Sequence, residues 1–254
     1  MSAVETTTNQ LIELRLTGMR ETYITRLRQA REGDLSYEDF FSLVLQDEVD
    51  FRKSARIKRL LQRAAFRQSA SLEEFDHRSE RGIEKKQLNE LATNRYLEDG
   101  TNILILGPTG AGKTYLATAL GNTACRNGYS TQFFRMNALI EQLTLSRAKG
   151  TYLNLLKRLA YSDLIILDDF GIKPLSPQQY QDFYDVIDER GEDKTTIITS
   201  QVPVENWSEI IPDPVTCEAV TDRLCAVATK LIMQGESSYR TKKSRKRECV
   251  VDKK

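Results

Sequence analysis

The sequence predicts an α/β protein in which a parallel P-loop sheet carries helices on both faces and follows a small all-helical N-terminal domain. From Ile103 onward, five apolar strand-like runs alternate with helical segments, a pattern typical of parallel sheets. The first run leads into a glycine-rich loop of a kind that needs a strand before it and a helix after it. Residues 1–67 hold no β-rich run and repeat apolar residues at helical spacing.

These patterns divide the chain into four segments. We expect a helical domain over residues 1–67, a connector over 68–82, a sheet domain over 83–240 and a basic tail over 241–254. The connector is predicted from its serine and charged residues. The five predicted strands are Ile103–Leu106, Thr131–Phe134, Leu164–Leu167, Thr195–Ser200 and a weaker Val227–Met233.

Composition excludes several classes of protein. The 254 residues carry a net charge of +1 and include four cysteines and one histidine. No two cysteines form a C-x-x-C pair, so neither a zinc site nor a disulfide framework is expected. No apolar run approaches the roughly 18 residues that cross a bilayer, and no signal-like segment appears. We therefore expect a cytoplasmic protein without a membrane partner.

The most specific functional pattern is G-x-x-x-x-G-K-[ST], which binds nucleoside triphosphates. Its glycines let backbone N–H groups turn toward phosphate oxygens. Lys113 can reach the β- and γ-phosphates, and the Thr114 hydroxyl can ligate Mg²⁺. The predicted phosphate-binding residues are Gly107, Pro108, Thr109, Gly110, Ala111, Gly112, Lys113 and Thr114.

Two acidic residues follow the predicted strand Leu164–Leu167. A strand of this kind belongs beside the strand of the phosphate loop, which would place Asp168 near a Mg²⁺ ion held by Thr114. Asp169 would then face the γ-phosphate, where a carboxylate can orient and deprotonate the attacking water. The structural alternative is that both acids only end the strand, and the phosphate loop disfavours it.

Polar residues also end the strand Thr195–Ser200. Gln201, or Ser200 beside it, could hydrogen-bond the γ-phosphate or its water. Strand ends are commonly polar, so the pattern leaves a purely structural role equally open.

Several of these motifs recur together in one family. They are the phosphate loop, the L-I-I-L-D-D strand with Phe170-Gly171 after it, and the strand end I-I-T-S-Q. The triplet Asp222-Arg223-Leu224, the segment from Gly235 to Arg240, and the N-terminal segments at 14–19 and 72–76 complete the set. Over nearly its whole length the chain resembles the IstB-like ATPases, insertion-sequence transposition helpers related to the helicase loader DnaC and to DnaA.

This resemblance implies an AAA+ fold, ATP with Mg²⁺, self-assembly on DNA and work with a cognate transposase. It implies that Gln201 is a first sensor of the nucleotide and, from its terminal motif, that Arg240 is a second. Arg223 would be a finger that reaches the nucleotide of a neighbouring subunit, so a homo-oligomer would hold composite ATP sites between subunits. The wider AAA+ class usually has Glu where this chain has Asp169, and Asn where it has Gln201.

Basic residues are concentrated between positions 52 and 67, where no acidic residue occurs. On a helix, arginines at steps of 4, 3, 4 and 4 form one narrow stripe. Because few aromatic residues accompany it, we expect contact with the backbone of duplex DNA rather than base readout, against the alternative of a solvated charged face. This arginine stripe consists of Arg52, Arg56, Arg59, Arg63 and Arg67.

The leading hypothesis is an AAA+ ATPase that assembles on duplex DNA and helps a transposase to select or engage its target. The nearest alternative is a DnaC-like replicative helicase loader, which shares the ATPase core but acts on single strands. A small-molecule P-loop kinase is disfavoured because no lid segment is evident. A DNA-binding module that uses ATP only as an assembly switch stays open.

Overall fold

The computed structural model of the chain describes residues 2–75 and 82–235. The chain divides into two compact units, Met1–Arg59 and Leu60–Lys254. This division falls inside a long helix, earlier than the predicted domain limit at residue 67. The predicted second sensor Arg240 and the basic tail at 241–254 lie outside the described residues.

The N-terminal unit is helical. Leu11, Met19 and Val44 form its small buried core, one residue from each of three helices. Arg26 and Asp47 form an ion pair of 2.7 Å, and the hydrogen bond from Arg26 lowers the pKa of Asp47. The helices are α1 (Ala3–Glu13), α2 (Thr17–Glu32) and α3 (Tyr37–Ala64), of which α3 continues into the second unit.

The two ends of α3 have identifiable causes. The Ser36 hydroxyl accepts a hydrogen bond from the N–H of Asp39 at 3.1 Å, which caps the first turn. At the other end Ala65 has a φ of 56°, and this left-handed backbone ends the helix at Ala64. The prediction of one helical stripe as far as Arg67 is therefore wrong at its last member, because Arg67 lies beyond the helix.

The second unit contains a parallel sheet with the strand order β2-β3-β4-β1-β5. Every strand overlaps a predicted one, and β4 has the predicted bounds. By contrast, β3 continues past the predicted end at Leu167 and includes both acidic residues. The strands are β1 (Asn102–Leu106), β2 (Thr131–Arg135), β3 (Leu164–Phe170), β4 (Thr195–Ser200) and β5 (Ala228–Ile232).

Helices cover both faces of this sheet. They are α4 (Lys85–Ala92), α5 (Arg95–Glu98), α6 (Lys113–Arg126), α7 (Met136–Ala148), α8 (Tyr152–Ala160), α9 (Pro177–Arg190) and α10 (Pro214–Cys225), with a 3₁₀ helix at Val204–Glu209. Within residues 2–75 and 82–235, no helix combines the length and the apolar character that crossing a membrane requires.

An apolar cluster on each face forms the core of the second unit. Ile103 and Ile105 belong to the cluster that contains α6, whereas Leu104 belongs to the cluster of α7, α8 and α9. Successive side chains of a strand point to opposite faces, so a strand covered on both faces needs a continuous apolar run. The apolar run of β1 is explained by this double burial.

The first part of the predicted connector packs against α6. The amide of Asn122 donates a hydrogen bond to the Ala70 carbonyl at 2.7 Å. The rings of Phe75 and Tyr115 stack with their centroids 6.2 Å apart. Because Ala70 and Phe75 are also buried, residues 68–75 form part of the second unit.

Candidate nucleotide site

The phosphate loop connects the end of β1 at Leu106 to the start of α6 at Lys113. Its glycines have left-handed backbone conformations, with φ of 146° at Gly107, 81° at Gly110 and 103° at Gly112. A side chain at Gly107 would also clash with the Met233 carbonyl. Glycine is thus required by both the backbone conformation and the lack of space.

The side chain of Lys113 hydrogen-bonds to the backbone of this loop. Its Nζ donates hydrogen bonds to the carbonyls of Gly107 at 2.7 Å and Pro108 at 2.9 Å. Burial lowers the pKa of Lys113, while the nearby charges of Asp169 and Asp168 raise it. The lysine is consequently placed where the loop would present it to a phosphate group.

Thr114 and Asp168 meet beside the loop. The Thr114 hydroxyl lies 2.9 Å from Oδ1 and 3.2 Å from Oδ2 of Asp168. Asp168 is buried, and this burial raises the pKa of its carboxyl group. The pair fits Mg²⁺, because hydroxyl and carboxylate oxygens are ligands that this ion takes, and a bound cation would stabilise the buried negative charge.

Asp169 is more exposed than Asp168 and has other partners. Its φ is 63°, which is unusual for a residue with a side chain. Its N–H donates to the Thr199 hydroxyl at 3.0 Å, and its carboxylate lies 4.0 Å from Nε of Arg135 at the end of β2. Asp169 therefore lies at the carboxyl edge of the sheet with part of its side chain accessible.

The residues at the end of β4 have distinct surroundings. Ser200 is buried, and its hydroxyl donates to the Phe170 carbonyl at 2.9 Å. Gln201 follows it and is exposed. Thr199, which is not among the predicted site residues, donates a hydrogen bond to Asp168 at 2.6 Å. The sequence feature that could have identified Thr199 is a polar residue within a buried strand.

Arg223 lies on α10, away from the phosphate loop of its own chain. Its guanidinium donates to Asp188 at 2.6 Å and lies 5.0 Å from the centroid of the Tyr184 ring. Its backbone carbonyl accepts a hydrogen bond of 3.2 Å from Asn102, the first residue of β1. The loop follows the last residue of β1, roughly 13 Å further along the strand. Arg223 therefore lies at the amino ends of the strands, which we call the amino edge of the sheet. The loop lies at their carboxyl ends, the carboxyl edge.

The arginine stripe is exposed, but it differs from the predicted arrangement. Arg52 forms an ion pair of 2.7 Å with Glu48, one helical turn before it, so an acidic partner is present. Arg56, Arg59 and Arg63 are exposed on the same helix. The stripe on α3 consequently has four members, since Arg67 lies outside the helix.

A second basic surface lies on the hairpin of α7 and α8. Residues 142–162 include Arg147, Lys149, Lys157 and Arg158 and no acidic residue. Arg158 and Lys149 line an open groove of about 440 Å³ between the two helices. Tyr161, which follows the last residue of α8, is 80% exposed. The sequence did not indicate this surface because its basic residues are not regularly spaced.

Fold and site together define a P-loop nucleotide-binding protein with an AAA+ fold, in which the loop follows β1 and paired acids end β3. The chain belongs to the family described as IstB-like ATP binding proteins, whose model matches residues 9–247. It is 35% identical over 237 residues to an insertion-sequence ATP-binding protein of Sinorhizobium fredii, covering 93% of this chain and 97% of the relative. The chain is also 34% identical to the ATP-binding protein of insertion sequence IS21 from Pseudomonas aeruginosa. This match covers 87% of this chain and 83% of the relative.

Solved structures share the fold. The DnaC helicase loader superposes with a TM-score of 0.53 at 24% identity, covering 65% of this chain and 97% of that chain. DnaA bound to AMPPCP and single-stranded DNA gives a TM-score of 0.56 at 19% identity, covering 72% of this chain and 56% of that chain. At these identities the likeness establishes the AAA+ architecture.

Proposed function

We propose that this protein hydrolyses ATP with Mg²⁺ at sites shared between subunits, assembles on duplex DNA and assists the transposase of its insertion sequence. The observation that carries the proposal is the separation of the site's parts. The phosphate loop, Thr114 and Asp168 lie at the carboxyl edge of the sheet, whereas Arg223 lies at the amino edge. A head-to-tail arrangement of subunits would bring these two edges together.

Each residue at the carboxyl edge has a role in this proposal. The loop N–H groups and Lys113 would bind the phosphates, and Lys113 would exchange its bonds to two loop carbonyls for bonds to phosphate oxygens. Thr114 and Asp168 would hold Mg²⁺, which neutralises charge on the phosphate oxygens. Asp169 would orient the attacking water and accept its proton.

Arg223 would complete the site of a neighbouring subunit. Its side chain is 40% exposed, and Asp188 and Tyr184 hold it at the surface of α9. It would exchange Asp188 for the negative charge that develops on the neighbour's phosphates. An arginine in this role contributes about 10³–10⁵ to the rate of phosphoryl transfer.

DNA binding is supported by charge rather than by fold. The arginine stripe on α3 provides evenly spaced cations for a phosphate backbone, and the α7–α8 hairpin provides a second basic surface. The exposed Tyr161 of this hairpin could stack on an unpaired base.

A comparison of short duplex and single-stranded oligonucleotides tests which class of DNA the protein binds. Tighter binding to duplex is expected, and a preference for single strands would favour the helicase-loader alternative.

The biological setting comes from the relatives. Proteins that match most of this chain are named for insertion sequences, so its partner would be the transposase of the same element. Work on DNA with this transposase would place the protein in the cytoplasm.

Lys113→Ala tests the dependence of assembly on nucleotide. We expect the full chain to form large complexes on duplex DNA with ATP, measured by light scattering, and the variant to form none. Lys86→Ala removes an exposed lysine of α4 and is the matched control, with assembly unchanged. Full assembly by Lys113→Ala would refute the nucleotide mechanism.

A further inference from the structure

The two acidic residues at the end of β3 lie in a β-bulge. The strands β3 and β4 pair in register from Leu164 with Thr195 to Leu167 with Ile198, and then Phe170 pairs with Ser200. Asp168 and Asp169 together are therefore opposite a single residue, Thr199. Bulges bend a strand and redirect its side chains, and they occur often beside active sites.

One hydroxyl group contacts both residues of this bulge. The Thr199 Oγ1 donates to Oδ1 of Asp168 at 2.6 Å and accepts the N–H of Asp169 at 3.0 Å. Asp169 has a φ of 63°, a conformation that needs support from its surroundings. Thr199 is fully buried, so its hydroxyl is not exposed to bulk solvent.

We propose that Thr199 is a positioning residue, which holds the carboxylate of Asp168 and the backbone of Asp169 for the chemistry of ATP and Mg²⁺. This inference rests on the proposed ATPase function. Asp168 has a second hydroxyl partner in Thr114, but Thr114 would itself be a ligand of the ion. Thr199 supports both acids from the side of β4, so it orients them without being a ligand.

Thr199→Val and Thr199→Ser separate positioning from packing. Valine keeps the volume of the side chain and removes both hydrogen bonds, whereas serine keeps the hydroxyl and removes a methyl group. Thr195→Val is the matched control, because Thr195 is a buried threonine of β4 whose hydroxyl donates to the Tyr96 carbonyl instead. Loss of this hydrogen bond should lower the stability of the protein without affecting the nucleotide site.

The experiment measures three quantities on the full chain: the affinity for a fluorescent ATP analogue as Mg²⁺ is titrated, kcat and KM for ATP, and Tm. For Thr199→Val we expect half-saturating Mg²⁺ to rise and kcat to fall, each by about 10–100-fold, as is common for residues that support metal ligands. Thr199→Ser should stay within roughly threefold of wild type, since its hydroxyl is retained. Thr195→Val should change Tm only.

Two results would overturn the inference while leaving the proposed function intact. One is a Thr199→Val variant with normal Mg²⁺ dependence and kcat in a chain whose wild type hydrolyses ATP. The other is loss of activity in all three variants in proportion to their loss of Tm. A wild type without Mg²⁺-dependent nucleotide binding would instead refute the proposed function, and the inference with it.

Discussion

Asp168 has its carboxylate inside the protein, between the hydroxyls of Thr114 and Thr199. Burial raises the pKa of this carboxyl above its ordinary value of 3.8, and the charge of Asp169 raises it further, while the Thr199 hydrogen bond lowers it. A raised folded-state pKa contributes stability below pH 3.8, and this contribution is lost as the pH rises through the folded-state pKa. Ionised Asp168 therefore destabilises the free protein at neutral pH.

Asp168→Asn should accordingly raise Tm at pH 7 in EDTA, because it removes a buried charge and keeps the hydrogen-bonding shape. The difference from wild type should shrink as the pH falls through the raised pKa of Asp168, because the wild-type carboxyl group then becomes protonated. Thermal unfolding over this pH range measures both effects. A variant less stable than wild type at pH 7 would contradict this account of Asp168.

Gly107→Ala should be more harmful than Gly150→Ala, although both glycines have positive φ. At Gly150 nothing lies within 4 Å of the added methyl group, so only backbone strain of about 1–2 kcal/mol is expected. At Gly107 the methyl group would also clash with the Met233 carbonyl, and nucleotide binding should be lost. Chemical denaturation and nucleotide titration test this order, and equal effects would count against it.

Single residues at the site were predictable only where sequence motifs specify them. The sequence predicted that Thr114 and Asp168 lie together, and the structure places their oxygens 2.9 Å apart. It did not indicate Thr199, because a bulge depends on the pairing of two distant strands. The polar residues at the end of β4 suggested Gln201, or Ser200 beside it, and Gln201 lies exposed after the strand.

At the scale of elements, apolar runs predicted the strands well, because strands buried on both faces need continuous apolar residues. The end of β3 was missed, since its backbone pairing continues through Asp168 to Phe170 after the apolar run has stopped. The end of α3 was missed for a different reason. Ala65 favours helices, and nothing in its local sequence indicates a φ of 56°.

The arginine stripe on α3 gives a prediction about salt. If Arg56, Arg59 and Arg63 each contact a phosphate, replacing all three by alanine should make the slope of log affinity against log salt shallower by about 2.7. The control replaces three exposed arginines of α2 by alanine, which changes the net charge equally: Arg20, Arg28 and Arg31. The slope for this control should equal that of wild type. Fluorescence anisotropy with a short duplex measures both slopes, and equal slopes for the two variants would remove the stripe from the DNA interface.

At the scale of the whole molecule, the sequence predicted a helical unit before the sheet but not the limit between them. The division at Arg59 and the packing of residues 68–75 on α6 depend on tertiary contacts, such as that of Asn122 with Ala70. Local composition could not reveal them. Likewise, the resemblance implied a finger role for Arg223, but only the fold places Arg223 at the edge of the sheet opposite the loop.

A mixture of two inactive variants tests whether the ATP site is shared between two subunits. Lys113→Ala should retain Arg223 but bind no nucleotide. Arg223→Ala should bind nucleotide but lack the arginine finger. Each variant alone should therefore be inactive. Mixed subunits would contain some interfaces with an intact loop on one side and an intact Arg223 on the other. We expect ATP hydrolysis, measured as phosphate release on duplex DNA, to reappear in the mixture. A mixture that stays inactive although both variants are found in the complexes on DNA, with an active wild type under the same conditions, would contradict it.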